Sequence, residues 1–244
     1  MKNPKKRLDD FLVEEGFALD KDAALRSVIA GEVLVDDVVA SSAAMMIAPD
    51  STVRVRGAKQ FVSRGGGKLK AALDAFGIDV AGKRCIDVGS STGGFTDCLL
   101  QAGASHVACV DVNYGQLDWK IRSDPHVAVF ERTNIKAADP AELGAPFDIV
   151  VIDVSFIGLA HLAPVLATLC QKGTQLLALV KPQFESRRGE AESGVVRDEA
   201  IRLRTVSEVE GALQAQGFDV CGFIESPLKG PAGNVEYLVN AVFG

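Results

Sequence analysis

Apolar residues recur with two different periods in the first fifty positions. In RLDDFLVEEGFA, Leu8, Phe11 and Leu12 fall at helical spacing, and DKDAALRSVIAGEV opens on Asp20, a residue able to cap a helix, and closes at Gly31. Two short helices are predicted. After them EVLVDDVVAS and STVRVRG alternate like small strands, with Asp36-Asp37 supplying a turn. Beyond Gly65-Gly66-Gly67 the pattern becomes strand, helix, strand, helix. Apolar runs predict strands at Cys85–Gly89, Val107–Val112, Val127–Glu131, Ile149–Val154 and Leu176–Lys181, separated by helical segments of crossover length. Runs of that kind require a mostly parallel sheet covered on both faces. Two further strands, near Val220–Glu225 and Glu236–Phe243, are joined by a loop too short for a helix and should pair antiparallel. The fold class predicted is α/β: a Rossmann-like domain with a seven-stranded, mostly parallel sheet over residues 65–244. A small α+β domain (residues 1–57) and a basic linker (residues 58–64) precede it.

Composition narrows the class without changing this picture. Of 244 residues 48% are hydrophobic and 24% charged, which excludes a disordered, collagen-like or coiled-coil chain. The five cysteines are odd in number and form no C-x-x-C pair, as in proteins of a reducing compartment. Asp9, Asp10, Glu14 and Glu15 interrupt any apolar run behind the basic amino terminus, so no export signal is read there. Val154 to Gln171 lacks Asp, Glu, Lys and Arg but contains Ser155, Gly158, His161, Pro164 and Thr168, and reads as core, not as a membrane span. A cytoplasmic location is therefore expected. The net charge of −6 hides a local excess: Ser51 to Leu73 carries Arg54, Arg56, Lys59, Arg64, Lys68 and Lys70 with no acid. That stretch is either a solvated linker or a contact for a polyanion.

The sharpest local signal is CIDVGSSTGGFTDCLL, an apolar strand that ends in Asp87, passes through Gly89, Ser90, Ser91, Thr92, Gly93 and Gly94, and enters a helix. Glycines there let a ligand approach the backbone, and the helix N-terminus offers free N–H groups. The next strand ends in Asp111, 22 residues beyond Gly89, near the offset at which an acid accepts hydrogen bonds from a ribose. Asn134, after the third strand, could meet an adenine edge. Ser91 occupies the place where a dinucleotide fingerprint needs its second glycine, so a ligand without a pyrophosphate fits better. S-adenosylmethionine, an adenosine with an amino-acid tail, suits acid, glycine turn and ribose acid together. Asp153 and Lys181 end the fourth and fifth strands, where parallel sheets hold ligands, while Lys68 precedes the first helix of the domain and Glu236 opens the last strand. His106, His126 and His161 show no metal spacing, and no metal is expected. Tyr114 and Trp119 are open either to stacking on a ligand or to core packing.

The motifs SRGGGKL, DVGSSTGGFTD, DVNYGQL, ERTN, DVSFIGL, LVKPQFE, GVVRD and SPLKGPAGNVEY follow one another in an order that resembles the TlyA family, bacterial rRNA 2′-O-methyltransferases also named hemolysins. The resemblance runs from Arg7-Leu8-Asp9 to Glu236-Tyr237. It implies an RNA-binding domain like that of a small-subunit ribosomal protein joined to an FtsJ-like methyltransferase. It implies that Lys68, Asp153, Lys181 and Glu236 form the Lys-Asp-Lys-Glu set of ribose methyltransferases. It also implies that Gly89, Ser91, Gly93, Gly94, Phe95, Asp111 and Asn134 surround the methyl donor, with Asp87 beside them. The turn reads GSSTGG where the family commonly has GASTGG.

Under this reading the chain acts on ribosomal RNA or ribosomal subunits, at a cytidine ribose. Lys181 serves as base, Asp153 and Glu236 orient the two lysines, and Lys68 steadies the developing oxyanion. The chain has no Pro-Cys or Cys-Pro pair for attack on cytosine C5, and Asp153-Val154-Ser155-Phe156 stands where amino-group methylation uses an Asn/Asp-Pro-Pro-aromatic turn. RNA contact is assigned to one face of the first domain and to the linker, through Arg7, Arg26, Arg54, Arg56, Lys59 and Arg64. Two competing readings are a membrane-active hemolysin and an RNA-binding ribosome assembly factor without catalysis. The intact set of four polar residues weighs against the second.

Overall fold

The computed structural model describes residues 5–14, 17–18, 20–49, 51–56, 60–230 and 232–244, and the chain divides into two units, residues 1–59 and 60–244. In the first unit the described elements are β1 (Lys6–Arg7), α1 (Leu8–Glu14), α2 (Lys21–Ile29), β2 (Val33–Val35), β3 (Val38–Val39), β4 (Met46–Ile47) and β5 (Val53–Val55). Asp20 caps α2, its side chain accepting from the Ala23 N–H at 2.7 Å, and satisfies a donor that a helix start leaves free. Strand β2 lies between β3 and β5, both antiparallel to it. Asp36 and Asp37 join β2 to β3 with φ of 50° and 64°, the left-handed pair that matches strand twist in a two-residue hairpin and that Asp tolerates. Leu8, Leu12, Ala24, Val28, Val33 and Ile47 form the core of this unit.

The second unit runs α3 (Gly65–Phe76), β6 (Arg84–Val88), α4 (Gly94–Gln101), β7 (His106–Val110), α5 (Trp119–Arg122), β8 (Val127–Phe130), α6 (Pro140–Leu143) and β9 (Phe147–Ile152). It continues with α7 (Ala163–Ala167), β10 (Cys170–Val180), α8 (Pro182–Glu185), α9 (Glu199–Gln214), β11 (Phe218–Glu225) and β12 (Tyr237–Phe243). Its seven strands lie in the order β11-β12-β10-β9-β6-β7-β8. Five are parallel, and β12 runs antiparallel to both β10 and β11. Side chains of the central strands feed two cores, Ile86, Val150 and Leu176 on one face and Cys85, Ile149 and Leu177 on the other. That is why these strands read as continuous apolar runs.

Three departures from the sequence reading have physical causes. The strands expected to reach Val112, Val154 and Lys181 end at Val110, Ile152 and Val180, because Asp111, Asp153 and Lys181 leave the ladder to face the carboxyl end of the sheet. The crossovers flanking β8 shrink to the single turns α5 and α6, with most of each connection in loop. Of the stretch 58–64 read as a linker, Lys59 and its two predecessors lie outside the described residues, and Phe61 is part of the core of the second unit, only 5% exposed. Its ring lies against Gly66 so closely that a Cβ there would fall 2.2 Å from it. The Val62 N–H donates to Asp97 at 2.8 Å. An apolar side chain among basic residues carries no periodicity, so only packing reveals it.

Candidate active site

In an open parallel sheet, ligands bind beyond the carboxyl ends of the strands where the strand order reverses. Here that point lies between β6 and β9, whose pairing ends with the Asp153 N–H donating to Val88 at 3.0 Å. Gly89 follows β6 with φ of 85°, and a Cβ on it would sit 2.4 Å from the Asp153 carbonyl oxygen. Glycine is required twice over, by conformation and by the close approach of the two strand ends. Above this contact lie two cavities, of about 310 and 390 Å³, that share Gly89, Ser91, Asp153 and Ser155 and so form one continuous groove.

The glycine turn is tied to the sheet by two acids. Asp111, buried at the end of β7, accepts from the Ser91 N–H and the Asn113 N–H at 2.8 Å each, one on each carboxylate oxygen, and keeps further lone pairs toward the larger cavity. Asp87 is fully buried. One of its oxygens accepts from the Thr96 N–H at 3.0 Å and the Thr96 hydroxyl at 2.7 Å, while the other is buried without a partner. Burial pushes this carboxyl up to about 7. The Thr96 hydrogen bonds oppose the rise, and the nearby carboxylates Asp153 and Asp111 add to it. An orphaned carboxylate oxygen beside a cavity is a place for a cationic group. The larger cavity has an apolar wall that includes Val88, Val110, Ile135 and Leu162, with Asn134 at its polar edge, so ammonium, ribose and purine each meet fitting chemistry in one groove. Of the residues expected around a donor, Gly89, Ser91, Gly94, Phe95, Asp87, Asp111 and Asn134 line this groove. Gly93 lines neither cavity, and its missing side chain leaves room for Leu117 and Ile121, to which a Cβ would come within 2.9 and 3.1 Å.

Two ion pairs converge on the smaller cavity. Lys68, from the first turn of α3, lies 2.5 Å from Glu236, which precedes β12, and both side chains are buried. Lys181, at the end of β10, lies 2.5 Å from Asp153 Oδ1. That oxygen makes no hydrogen bond, so the contact is ionic, and Lys181 Nζ directs a hydrogen bond to the Ser155 hydroxyl at 3.1 Å. The four side chains come from four separate stretches of chain and line one cavity with the glycine turn. Such an arrangement can hold a hydroxyl beside an amine, with carboxylates to fix the amines.

The expected RNA contacts divide. Arg26, Arg54 and Arg56 are exposed on the first unit, though Arg54 pairs with Asp37 at 3.2 Å, and Arg7 is engaged by Asp9 at 2.5 Å, which raises the guanidinium further above its ordinary value. Arg64 belongs to the second unit, immediately before α3, and lines the smaller cavity. Among the described residues no cluster of three or more His, Cys, Asp and Glu could hold a metal. Trp119 and Tyr114 are exposed, at 75% and 66%, with the Arg132 guanidinium 4.4 Å above the Tyr114 ring, so core packing is excluded for both. Sequence reasoning missed Ser63, Ser155, Thr96 and Lys229. Thr96 alone carried a signal, a polar residue inside the apolar helix run FTDCLL.

The description "FtsJ-like methyltransferase" matches residues 61–243. A 16S/23S rRNA (cytidine-2′-O)-methyltransferase TlyA of Mycobacterium tuberculosis is 44% identical over 236 residues, 96% of this chain and 88% of that protein. Hemolysin A of Brachyspira hyodysenteriae is 36% identical over 97% of this chain and 99% of its own. A solved structure of a hemolysin-named protein from Streptococcus thermophilus superposes with a TM-score of 0.74 at 37% identity, covering 98% of this chain and 89% of that one. Likeness of this extent, over both units and through the whole of the sheet, establishes that the chain belongs to the TlyA family of FtsJ-like methyltransferases.

Proposed function

We propose that this protein transfers a methyl group from S-adenosylmethionine to the 2′-hydroxyl of a cytidine in ribosomal RNA, acting on ribosomal subunits in the cytoplasm. The observation that carries the reading is the meeting of Lys68–Glu236 and Lys181–Asp153 in the cavity that the glycine turn also lines. When bound, the donor supplies an electrophilic methyl on a sulfonium. Asp87 receives its ammonium, Asp111 its ribose, and the apolar wall its purine. What remains for this chain is to hold the acceptor oxygen in line and remove its proton. Alignment of that kind corresponds to effective molarities of ~10⁵–10⁸ M in favourable cases. Lys181, in its neutral form, takes the 2′-proton, a role typically worth ~10²–10⁴-fold. Asp153 and Ser155 fix its direction, and Lys68, held by Glu236, faces the developing oxyanion.

Mapping ribose methylation across rRNA from cells with and without the protein tests the reading: a cytidine methylated only in its presence supports it, and identical maps overturn it. The role of Lys181 is tested by Lys181→Ala and Lys181→Arg, since arginine keeps the charge but cannot deprotonate. Both should lower kcat by about 10² or more, the range for a lost general base, with donor Kd nearly unchanged. A Lys181→Arg enzyme of near-normal turnover would discard the base. No helix among the described residues is long and apolar enough to cross a membrane, and no observation favours the membrane-active reading.

A further inference from the structure

Four cationic side chains line the smaller cavity, and only two are neutralised. Lys68 and Lys181 are paired with Glu236 and Asp153. Arg64 and Lys229 have no carboxylate within 4.0 Å among the described residues. The remaining acid of the cavity, Asp87, is buried at its floor and only partly ionised near neutral pH. The outer mouth therefore carries a positive excess without an internal partner.

Lys229 is held there by a folded loop. The Ser226 hydroxyl donates to the Leu228 carbonyl at 2.8 Å, the Ser226 N–H to the Glu236 carbonyl at 2.8 Å, and the Gly230 N–H to the Asn234 carbonyl at 2.9 Å. Asn234 is itself buried, accepting from the Val196 N–H at 3.0 Å and donating to the Gly194 carbonyl at 2.9 Å. Gly230 lies so close to Glu236 that a Cβ would fall 2.5 Å from its carboxylate. The loop that seats the partner of Lys68 thus also fixes the residue beside it, Lys229, at the rim.

We propose that Lys229, with Arg64 on the same rim, binds the phosphodiester flanking the target ribose and is a positioning residue for RNA. This rests on the functional reading above and deepens it. A ribose whose 2′-hydroxyl meets Lys181 carries a phosphate on either side, and exposed cations at the mouth face the polymer, whereas the donor's polar groups belong with the turn and Asp87 at the floor. Phosphate contacts of this kind set register without reading sequence.

The test uses the full-length protein and ribosomal subunits from a strain lacking it, with RNA Kd, donor Kd and kcat measured separately for Lys229→Ala, Lys229→Glu and Lys229→Arg. Lys229→Glu should weaken subunit binding by about tenfold or more, with donor Kd unchanged and kcat at saturating RNA within about twofold, as expected of a charge contact made equally in ground and transition states. Lys229→Arg should restore binding, and Lys229→Ala should lower the log–log salt slope of Kd by ~0.7, one phosphate on single-stranded RNA. Unchanged subunit affinity in all three variants, or a loss of donor affinity in step with the loss of RNA affinity, overturns the proposal. If the wild-type protein leaves the subunits unmethylated, the methyltransferase reading fails, while the Kd comparison still decides the role of Lys229.

Discussion

At the scale of single residues the most consequential group is Asp87. Folding lifts its carboxyl from 3.8 to about 7, chiefly by burial, which corresponds to on the order of 4 kcal/mol of preference for the neutral form. Below about pH 4 the group is protonated in folded and unfolded chains alike. Between about pH 4 and 7 the unfolded chain has released a proton that the folded chain retains, so stability of the donor-free protein falls as pH rises through that window and levels off above it. Asp87→Asn removes the penalty and keeps an acceptor for Thr96. It should melt higher than the wild type at pH 8 and alike at pH 4, while binding the donor at least about tenfold more weakly, the cost of a lost charged hydrogen bond. Thermal melts from pH 4 to 8 check the first part; a difference in melting temperature that stays constant across that range would show that Asp87 carries no buried charge. For the wild type, an ammonium beside the free oxygen favours the ionised form, so donor affinity should rise with pH up to about 7.

At the scale of elements, packing between the start of α3 and the residues before it seats Lys68. Phe61 fills the space over Gly66, one side chain present and the other absent by mutual requirement. Phe61→Ala should cost about 3–5 kcal/mol in urea unfolding, the range for emptying a core aromatic site, and Gly66→Ala about 1–3 kcal/mol from overpacking. Combined, the added methyl enters the space the ring vacated, so the double variant should be less destabilised than the sum of the singles. Strict additivity would show that the two sites do not share that volume. The same pair shows where sequence legibility stopped. Strands β6, β7 and β9 were readable because both faces are buried and the run of apolar residues is continuous, and Asp20 and Asp36-Asp37 announced a cap and a turn by local chemistry alone. Phe61 had only basic neighbours to be read against. The first half of β10, CQKGT, is polar and passes through a register irregularity, so its start was invisible to periodicity.

At the scale of the whole molecule, the order of elements was legible, whereas convergence in space was not. Lys68 and Glu236 are 168 residues apart, and nothing in the local patterns of SRGGGKL and GNVEY joins them except the family resemblance. The antiparallel insertion of β12 beside β10 brings Glu236 to the groove, and no single-sequence signal states which neighbour a last strand takes. Charge has the same property. A net −6 conceals exposed arginines on the first unit and unpaired cations at the rim of the second. If donor binding is a property of the second unit and RNA affinity is shared by both, the two should separate on truncation. The cut belongs before Gln60, because Phe61 is core. Residues 60–244 alone should then bind the donor with a Kd within about twofold of the full chain. Their affinity for ribosomal subunits should fall, and the log–log salt slope should shrink by ~0.7 for each phosphate that the first unit neutralises in the intact protein. Titrations of both ligands at several salt concentrations measure this directly. Loss of donor binding in the truncated protein would mean that the first unit is needed to complete the groove. An unchanged salt slope would mean that Arg26, Arg54 and Arg56 face solvent and touch no RNA.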